Sequence, residues 1–311
     1  MKNYSIAIHG GAGTLVKGLM TEALEIKYKN ALQAALDAGS KVLEESGTAL
    51  DAVEAAVVVL EDSPLFNAGK GAVFTHTGTH EMDAAIMDGK NLEAGAVSLI
   101  TGIKNPISLS RDIMEKSDHV FLAGDGAMEF AAKNGYEVKD ADYFYDEVRY
   151  QQWQNIKGSD KFQLDHSVKK DSKFGTVGAV ALDMQGNIAA ATSTGGMTNK
   201  KWGRVGDSPM IGAGTYANNE TCAVSCTGSG EFFIRGVVAY DVSCLMEYKG
   251  LSLEEAAKEV IQNRVLKIGG DGGLIAVDTK GNITMPFNTE GMYRAFKKSN
   301  GDTSVSIYKE A

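Results

Sequence analysis

A mixed α+β fold, with layered sheets covered by helices, is predicted for this 311-residue chain, and three observations carry the prediction. Glycine is abundant, at 36 residues or about 12% against a usual share of roughly 7%, which marks tight turns or close backbone packing. Two similar apolar hairpin patterns, offset by 95 residues, bracket the second half of the chain. Helical stretches lie before and between them, so strands and helices come in blocks and not as the β-α-β repeats of a parallel doubly wound sheet.

The elements follow in order. Residues 4–9 form an apolar run that ends in Gly10-Gly11-Ala12-Gly13, read as a buried strand running into a glycine turn. A helix over 21–45 places Leu24, Ala31, Ala35 and Leu43 on one face and stops at Ser46-Gly47. Thr48 with Asp51 three residues on reads as a capping box for a second, very apolar helix that Pro64 terminates. Short strands are expected in 71–100 (AVFTH, HEMDAAIMDG, AGAVSLI), then helix over 108–135 closing at Asn134-Gly135. Eight of the seventeen residues 157–173 are charged, without a sustained period, as in a solvated, flexible linker. Then come a hairpin, TVGAVALD-MQGN-IAAATSTGG, helices over 230–248 and 252–267, the latter opened by a Ser252/Glu255 capping box, and a second hairpin. Gly178, Asp183, Gly186, Asn187, Thr194 and Gly196 of the first hairpin match Gly273, Asp278, Gly281, Asn282, Thr289 and Gly291 of the second.

Composition narrows the function. With 43% hydrophobic and 23% charged residues the chain is globular, and disorder, collagen and coiled coil are excluded. No apolar run approaches the roughly 18 residues of a membrane helix, and MKNYSIAIHGG lacks the apolar core of a secretory signal, so a cytoplasmic protein without a membrane partner is expected. A net charge of −9 without a basic stripe argues against a nucleic-acid partner. Cys222 and Cys226 lie in an alternating apolar run and read as buried thiols. A small-molecule partner is expected.

Several residues could carry chemistry, and each also has an ordinary reading. The glycines after His9 could cradle an anion or simply turn the chain. His9 reads as a hydrogen-bonded structural histidine, and His76 and His80 stand in Thr-rich sequence that suits loop or strand better than a metal-binding helix. No Gly-x-Ser-x-Gly elbow is present. Thr176 follows the charged linker and Gly175, and hairpin pairing across the MQGN tip places it opposite Thr194. Cleavage between Gly175 and Thr176 would give the threonine a free α-amine of pKa roughly 7.7 to 8, so that one residue supplies nucleophile and base. The alternative is an ordinary strand threonine after a loop.

The segments IHGGAG, LEDSPLFNAGKGAVF, MDAAIMDG, GTVGAVALD, ATSTGGMTNK, GRVGDSP, GAGTYANN, SCTGSGE, GGDGGLIAVD and PFNTEGMYRA, in this order over nearly the whole chain, resemble the plant-type L-asparaginase and isoaspartyl peptidase family of N-terminal nucleophile hydrolases. The resemblance implies an α+β, four-layer αββα sandwich. It also implies autocatalytic cleavage into an α chain, 1–175, ending in the linker of about 155–175, and a β chain, 176–311. The two would form one composite domain, and two αβ pairs a dimer. The implied activity is hydrolysis of the β-amide of isoaspartyl dipeptides and asparagine through a threonine acyl-enzyme.

The resemblance also implies roles. Thr176 resembles the nucleophile and Thr194 its hydroxyl partner. Thr227 and Gly228 resemble the oxyanion hole, with Gly230 adding a backbone contact to substrate. Arg204 and Asp207 resemble the pair that grips the α-carboxylate and α-ammonium of an aspartyl substrate; their chemistry suits a zwitterionic amino-acid end, although an Arg-x-x-Asp loop can equally be a surface ion pair. Asn67 resembles a residue supporting the nucleophile. The carbonyls of Leu60, Glu61, Ser63, Phe66, Ala68 and Lys70 would surround a structural sodium ion, and catalysis needs no cofactor. Two rivals stand beside this reading, a glycosylasparaginase-like amidase, which the lack of a signal and of paired cysteines disfavours, and a non-catalytic amino-acid-binding protein.

Overall fold

The computed structural model describes residues 3–158 and 175–309. The described strands are β1 (Ser5–Gly13), β2 (Met82–Asp88), β3 (Ala94–Ile100), β4 (Phe121–Ala123), β5 (Val177–Leu182), β6 (Ile188–Thr194), β7 (Thr215–Ala217), β8 (Cys222–Gly228), β9 (Gly272–Asp278), β10 (Ile283–Thr284), β11 (Gly291–Lys298) and β12 (Thr303–Tyr308). The helices are α1 (Glu22–Glu44), α2 (Ala49–Glu61), α3 (Pro106–Lys116), α4 (Gly124–Lys133), α5 (Ala141–Phe144), α6 (Glu147–Ile156), α7 (Gly230–Gly236), α8 (Val238–Lys249) and α9 (Leu253–Lys258), the last continuing into a π-helical stretch, Glu259–Val265. Eight strands pair in the order β12-β11-β1-β5-β6-β2-β3-β4 and four in the order β10-β9-β8-β7. The fold is mixed α+β. No described helix is long and apolar enough to cross a membrane.

Strand alternation builds the core. Ile6, Ile8, Ala179 and Ala191 of the large sheet pack against Leu32, Leu36, Val53 and Val57 of α1 and α2. The intervening residues Ala7, Val180 and Ala190 point the other way and meet Ala223, Ile275 and Val277 of the small sheet. The opposite face of the small sheet, Val224, Cys226, Leu274 and Ala276, is covered by Val242, Leu245, Ala256 and Val260. Cys222 and Cys226 are free buried thiols, as expected.

Local chemistry explains the helix boundaries. Thr48/Asp51 and Ser252/Glu255 each form both arms of a capping box, and Thr21 caps α1 through its side chain. Other expectations require correction. The glycines after His9 do not turn the chain: β1 runs through them with a bulge between His9 and Gly11, because Gly10 lies against Phe66 with no room for a Cβ. AVFTH is loop, and the stretch 108–135 holds β4 between α3 and α4. The helix expected over 230–248 breaks at Val237, which adopts a left-handed φ of +46°. The second hairpin pattern splits: β9 pairs with the two-residue β10, while the following strand, β11, joins β1 in the large sheet. Most of the predicted linker, 159–174, lies outside the described residues.

Candidate active site

β5 and β6 pair Val177 with Ser193 and Gly178 with Thr192, so one step further sets Thr176 across from Thr194. Thr176 Oγ1 donates to Thr194 Oγ1 at 3.4 Å. Thr194 Oγ1 also accepts the Gly196 N–H at 3.0 Å, and Asn67 Nδ2 donates to the Gly196 carbonyl at 2.7 Å. The Asn67 carbonyl accepts the Gly195 N–H, and its side-chain oxygen accepts the Val73 N–H, both at 3.0 Å. Gly175 fits beneath this frame, since a Cβ there would stand 2.9 Å from the Gly10 carbonyl and 3.4 Å from the Asn67 nitrogen. Asn67 thus holds the turn after Thr194 and packs against the residue that precedes Thr176.

The small sheet contributes Thr227 and Gly228 at the end of β8. Thr227 is buried, and its Oγ1 accepts the Ala12 N–H at 3.3 Å. Gly228 has φ +154° and pairs with Gly272, and a Cβ on Gly228 would stand 2.3 Å from the Asp271 carbonyl. Only glycine allows that approach, which leaves the Gly228 backbone close to the strand end.

Arg204 and Asp207 lie on the loop before β7 and pack against Gly230 at the start of α7: a Cβ on Gly230 would be 2.8 Å from Arg204 Nη2 and 3.0 Å from Asp207 Oδ1. Arg204 donates from Nε and Nη2 to the two carboxylate oxygens of Glu231 at 2.9 and 3.0 Å. Asp207 is buried, its Oδ2 makes no hydrogen bond among the described residues, and burial pushes its carboxyl up to about 7, with Arg204 opposing. A buried carboxyl oxygen without a donor is an unmet acceptor in the free protein. Glu231 was not singled out from the sequence, because nothing local marks a glutamate 27 residues from its arginine.

The histidines have structural surroundings. His9 is fully buried, its Nε2 lies 3.0 Å from Ser225 Oγ, and burial lowers it to about 3. The ring is therefore neutral near pH 7. His76 and His80 bond to Asn199 Oδ1 and the Ala72 carbonyl, and no group of three His, Cys, Asp or Glu side chains among the described residues is placed to hold a metal.

The Leu60 to Lys70 loop offers backbone oxygens. The Phe66 and Pro64 carbonyls converge on Gly71, the Glu61 carbonyl abuts Gly69, and the Leu60, Phe66 and Ala68 carbonyls each accept one N–H within the loop. Each carbonyl has two lone pairs, so these oxygens keep acceptor capacity beyond their bonds within the loop. The Lys70 ammonium leaves the loop and stands 5.2 Å from the centre of the Tyr143 ring. The Glu61 carboxyl turns away too, accepting from Ser193 Oγ at 2.6 Å and the Ile107 N–H at 3.1 Å, and burial raises it to about 8.

The Thr176 and Thr194 hydroxyls thus meet across the β5–β6 hairpin, and Arg204 and Asp207 meet at Gly230. The chain belongs to the asparaginase family, whose model, described as Asparaginase, matches residues 2–307. It is 51% identical over 308 residues to the isoaspartyl peptidase of Escherichia coli (strain K12), covering 98% of this chain and 96% of that protein. It is 45% identical over 307 residues to the plant-type L-asparaginase of Pyrococcus abyssi, covering 94% and 96%. A probable isoaspartyl peptidase/L-asparaginase 2 of Arabidopsis thaliana is 43% identical over 330 residues, covering 99% and 100%.

Proposed function

We propose that this protein is an isoaspartyl peptidase with L-asparaginase activity, matured by its own cleavage between Gly175 and Thr176. The observation that carries the reading is the contact between Thr176 and Thr194 hydroxyls directly after Gly175, which is itself packed against Asn67 and Gly10. Cleavage frees the Thr176 α-amine, which takes the proton of its own hydroxyl as that oxygen attacks the β-carbonyl of the substrate. The negative oxygen of the tetrahedral intermediate is held by the Thr227 hydroxyl and the Gly228 N–H. Collapse expels ammonia or the amine of the second residue, protonated by the α-ammonium, and leaves an ester on Thr176. Water, deprotonated by the same amine, hydrolyses that ester to aspartate.

Arg204 takes the substrate α-carboxylate, exchanging it for Glu231, and Asp207 takes the α-ammonium. The products of cleavage, 1–175 and 176–311, stay in one composite domain, because β1 is hydrogen-bonded between β5 and β11. The three apolar clusters support the four-layer αββα sandwich of N-terminal nucleophile hydrolases. The reading extends to a structural sodium ion on the Leu60 to Lys70 carbonyls and to a dimer of αβ pairs.

The test is hydrolysis of a β-aspartyl dipeptide and of asparagine. Wild-type protein releases aspartate from both, and Thr176→Ala releases none. Wild type inert toward both substrates, or a Thr176→Ala variant that remains active, would overturn the proposal.

A further inference from the structure

Strand alternation puts Thr176 with Gly178, Thr192 with Thr194, and Ser225 with Thr227 on shared faces, since residues two apart point the same way. Val180, Ala190 and Ala223, further along those faces, lie between the two sheets, so all three pairs face the space between the sheets. A second layer of polar groups therefore lies directly beneath Thr176, Thr194 and Thr227. It consists of His9, Ser225, Thr192 and Thr215, each with no exposed surface.

These groups are joined end to end. His9 Nε2 is 3.0 Å from Ser225 Oγ, Ser225 Oγ is 2.7 Å from Thr192 Oγ1, and Thr215 Oγ1 is 2.7 Å from Thr192 Oγ1 and 3.0 Å from the Ser208 carbonyl. Thr192 Oγ1 also lies 3.2 Å from the Gly214 carbonyl. Gly178 makes the junction possible, because a Cβ there would stand 2.0 Å from Ser225 Oγ and 2.5 Å from His9 Nε2. The chain ends on carbonyls, which only accept, and each hydroxyl has one proton. Thr215 Oγ1 donates to Thr192 Oγ1, Thr192 Oγ1 can donate on to the Gly214 carbonyl or to Ser225, and the Ser225–His9 contact follows the tautomer of the ring. Ser208 adjoins Asp207, and Gly214 packs against the Asp207 carbonyl, 2.4 Å from where its Cβ would be.

We infer that His9, Ser225, Thr192 and Thr215 form a positioning layer that aligns the three reactive threonines and ties them to the loop carrying Asp207. The inference rests on the proposed peptidase reading. It assigns these residues no contact with substrate. An unmade hydrogen bond in this buried layer would leave hydroxyls without partners and let the strand ends shift, and a small misplacement of reacting groups is costly.

The experiment compares Thr192→Val, which keeps the shape and removes the hydroxyl, with Thr192→Ser, which keeps the hydroxyl and removes the methyl. Self-cleavage, kcat and KM for a β-aspartyl dipeptide, and the melting temperature are measured for each. In Thr192→Val, kcat and the rate of self-cleavage fall about tenfold or more and KM rises severalfold, while Thr192→Ser recovers both parameters to within about threefold. Ser225→Ala empties the middle of the chain without adding bulk; it gives the same pattern and carries the test if Thr192→Val does not fold. Wild-type kcat and KM in Thr192→Val, or in Ser225→Ala where that variant carries the test, overturn the inference, as does a Thr192→Ser no better than Thr192→Val. Those results leave the peptidase reading intact, whereas wild-type protein without β-aspartyl hydrolysis overturns the reading itself.

Discussion

Asp207 sits inside the protein with one carboxylate oxygen unbonded among the described residues and its carboxyl raised from the usual 3.8 to about 7 by burial. Between those two values the unfolded chain ionises at this position while the folded protein keeps the proton, so stability falls as pH rises through the window and levels off above 7. The residue thus weakens the fold at the pH where its charge would bind an ammonium group. Asp207→Asn should raise the melting temperature at pH 8 by about 2 °C or more and change it much less at pH 4, while lowering kcat/KM for β-aspartyl dipeptides at least about tenfold. Thermal melts at both pH values and steady-state kinetics check this. A variant less stable at pH 8 than wild type would show that Asp207 has a donor in the free protein.

Among elements, the β5–β6 hairpin carries the most consequence. Gly178 has Ser225 Oγ, His9 Nε2 and the Ala191 carbonyl all within 2.8 Å of its would-be Cβ. Gly178→Ala should cost about 1 to 3 kcal/mol or more, read as a lower urea midpoint with an unchanged slope. An unchanged midpoint would mean the two sheets are packed less tightly here. This hairpin was legible because turn chemistry and apolar alternation are local: Asp183 and Asn187 close the MQGN tip, and the register then follows to Thr176 and Thr194. Capping boxes were legible for the same reason. What sequence could not supply was partner choice. The second hairpin pattern is nearly the same locally, yet β11 pairs with β1 from the other end of the chain. Gly10 of β1 reads as part of a turn because the demand for it comes from Phe66 and Tyr293, which are distant in sequence. Glu61 reads as one more residue of an apolar helix, and its carboxyl meets Ser193 only through the packing of α2 on β6. The motif resemblance implied roles for Arg204 and Asp207 but gave no sign of the Glu231 carboxylate that holds Arg204 in the free protein.

At the scale of the whole molecule, the central claim is that one chain becomes two without coming apart. β1 lies between β5 and β11, and β2 pairs with β6, so hydrogen-bonded ladders join residues before Gly175 to residues after Thr176 throughout the large sheet. A cut between those residues severs one peptide bond and leaves the ladders and all three apolar clusters in place. The most direct measurement is intact mass spectrometry of purified protein after incubation at neutral pH, run native and denatured, beside Thr176→Ala. Wild type should keep the mass of the complete assembly under native conditions and separate in denaturant into two chains, one beginning at Thr176, while Thr176→Ala stays a single chain. Cleavage after Gly175 in Thr176→Ala, or an uncut wild-type chain with full hydrolase activity, would contradict the account.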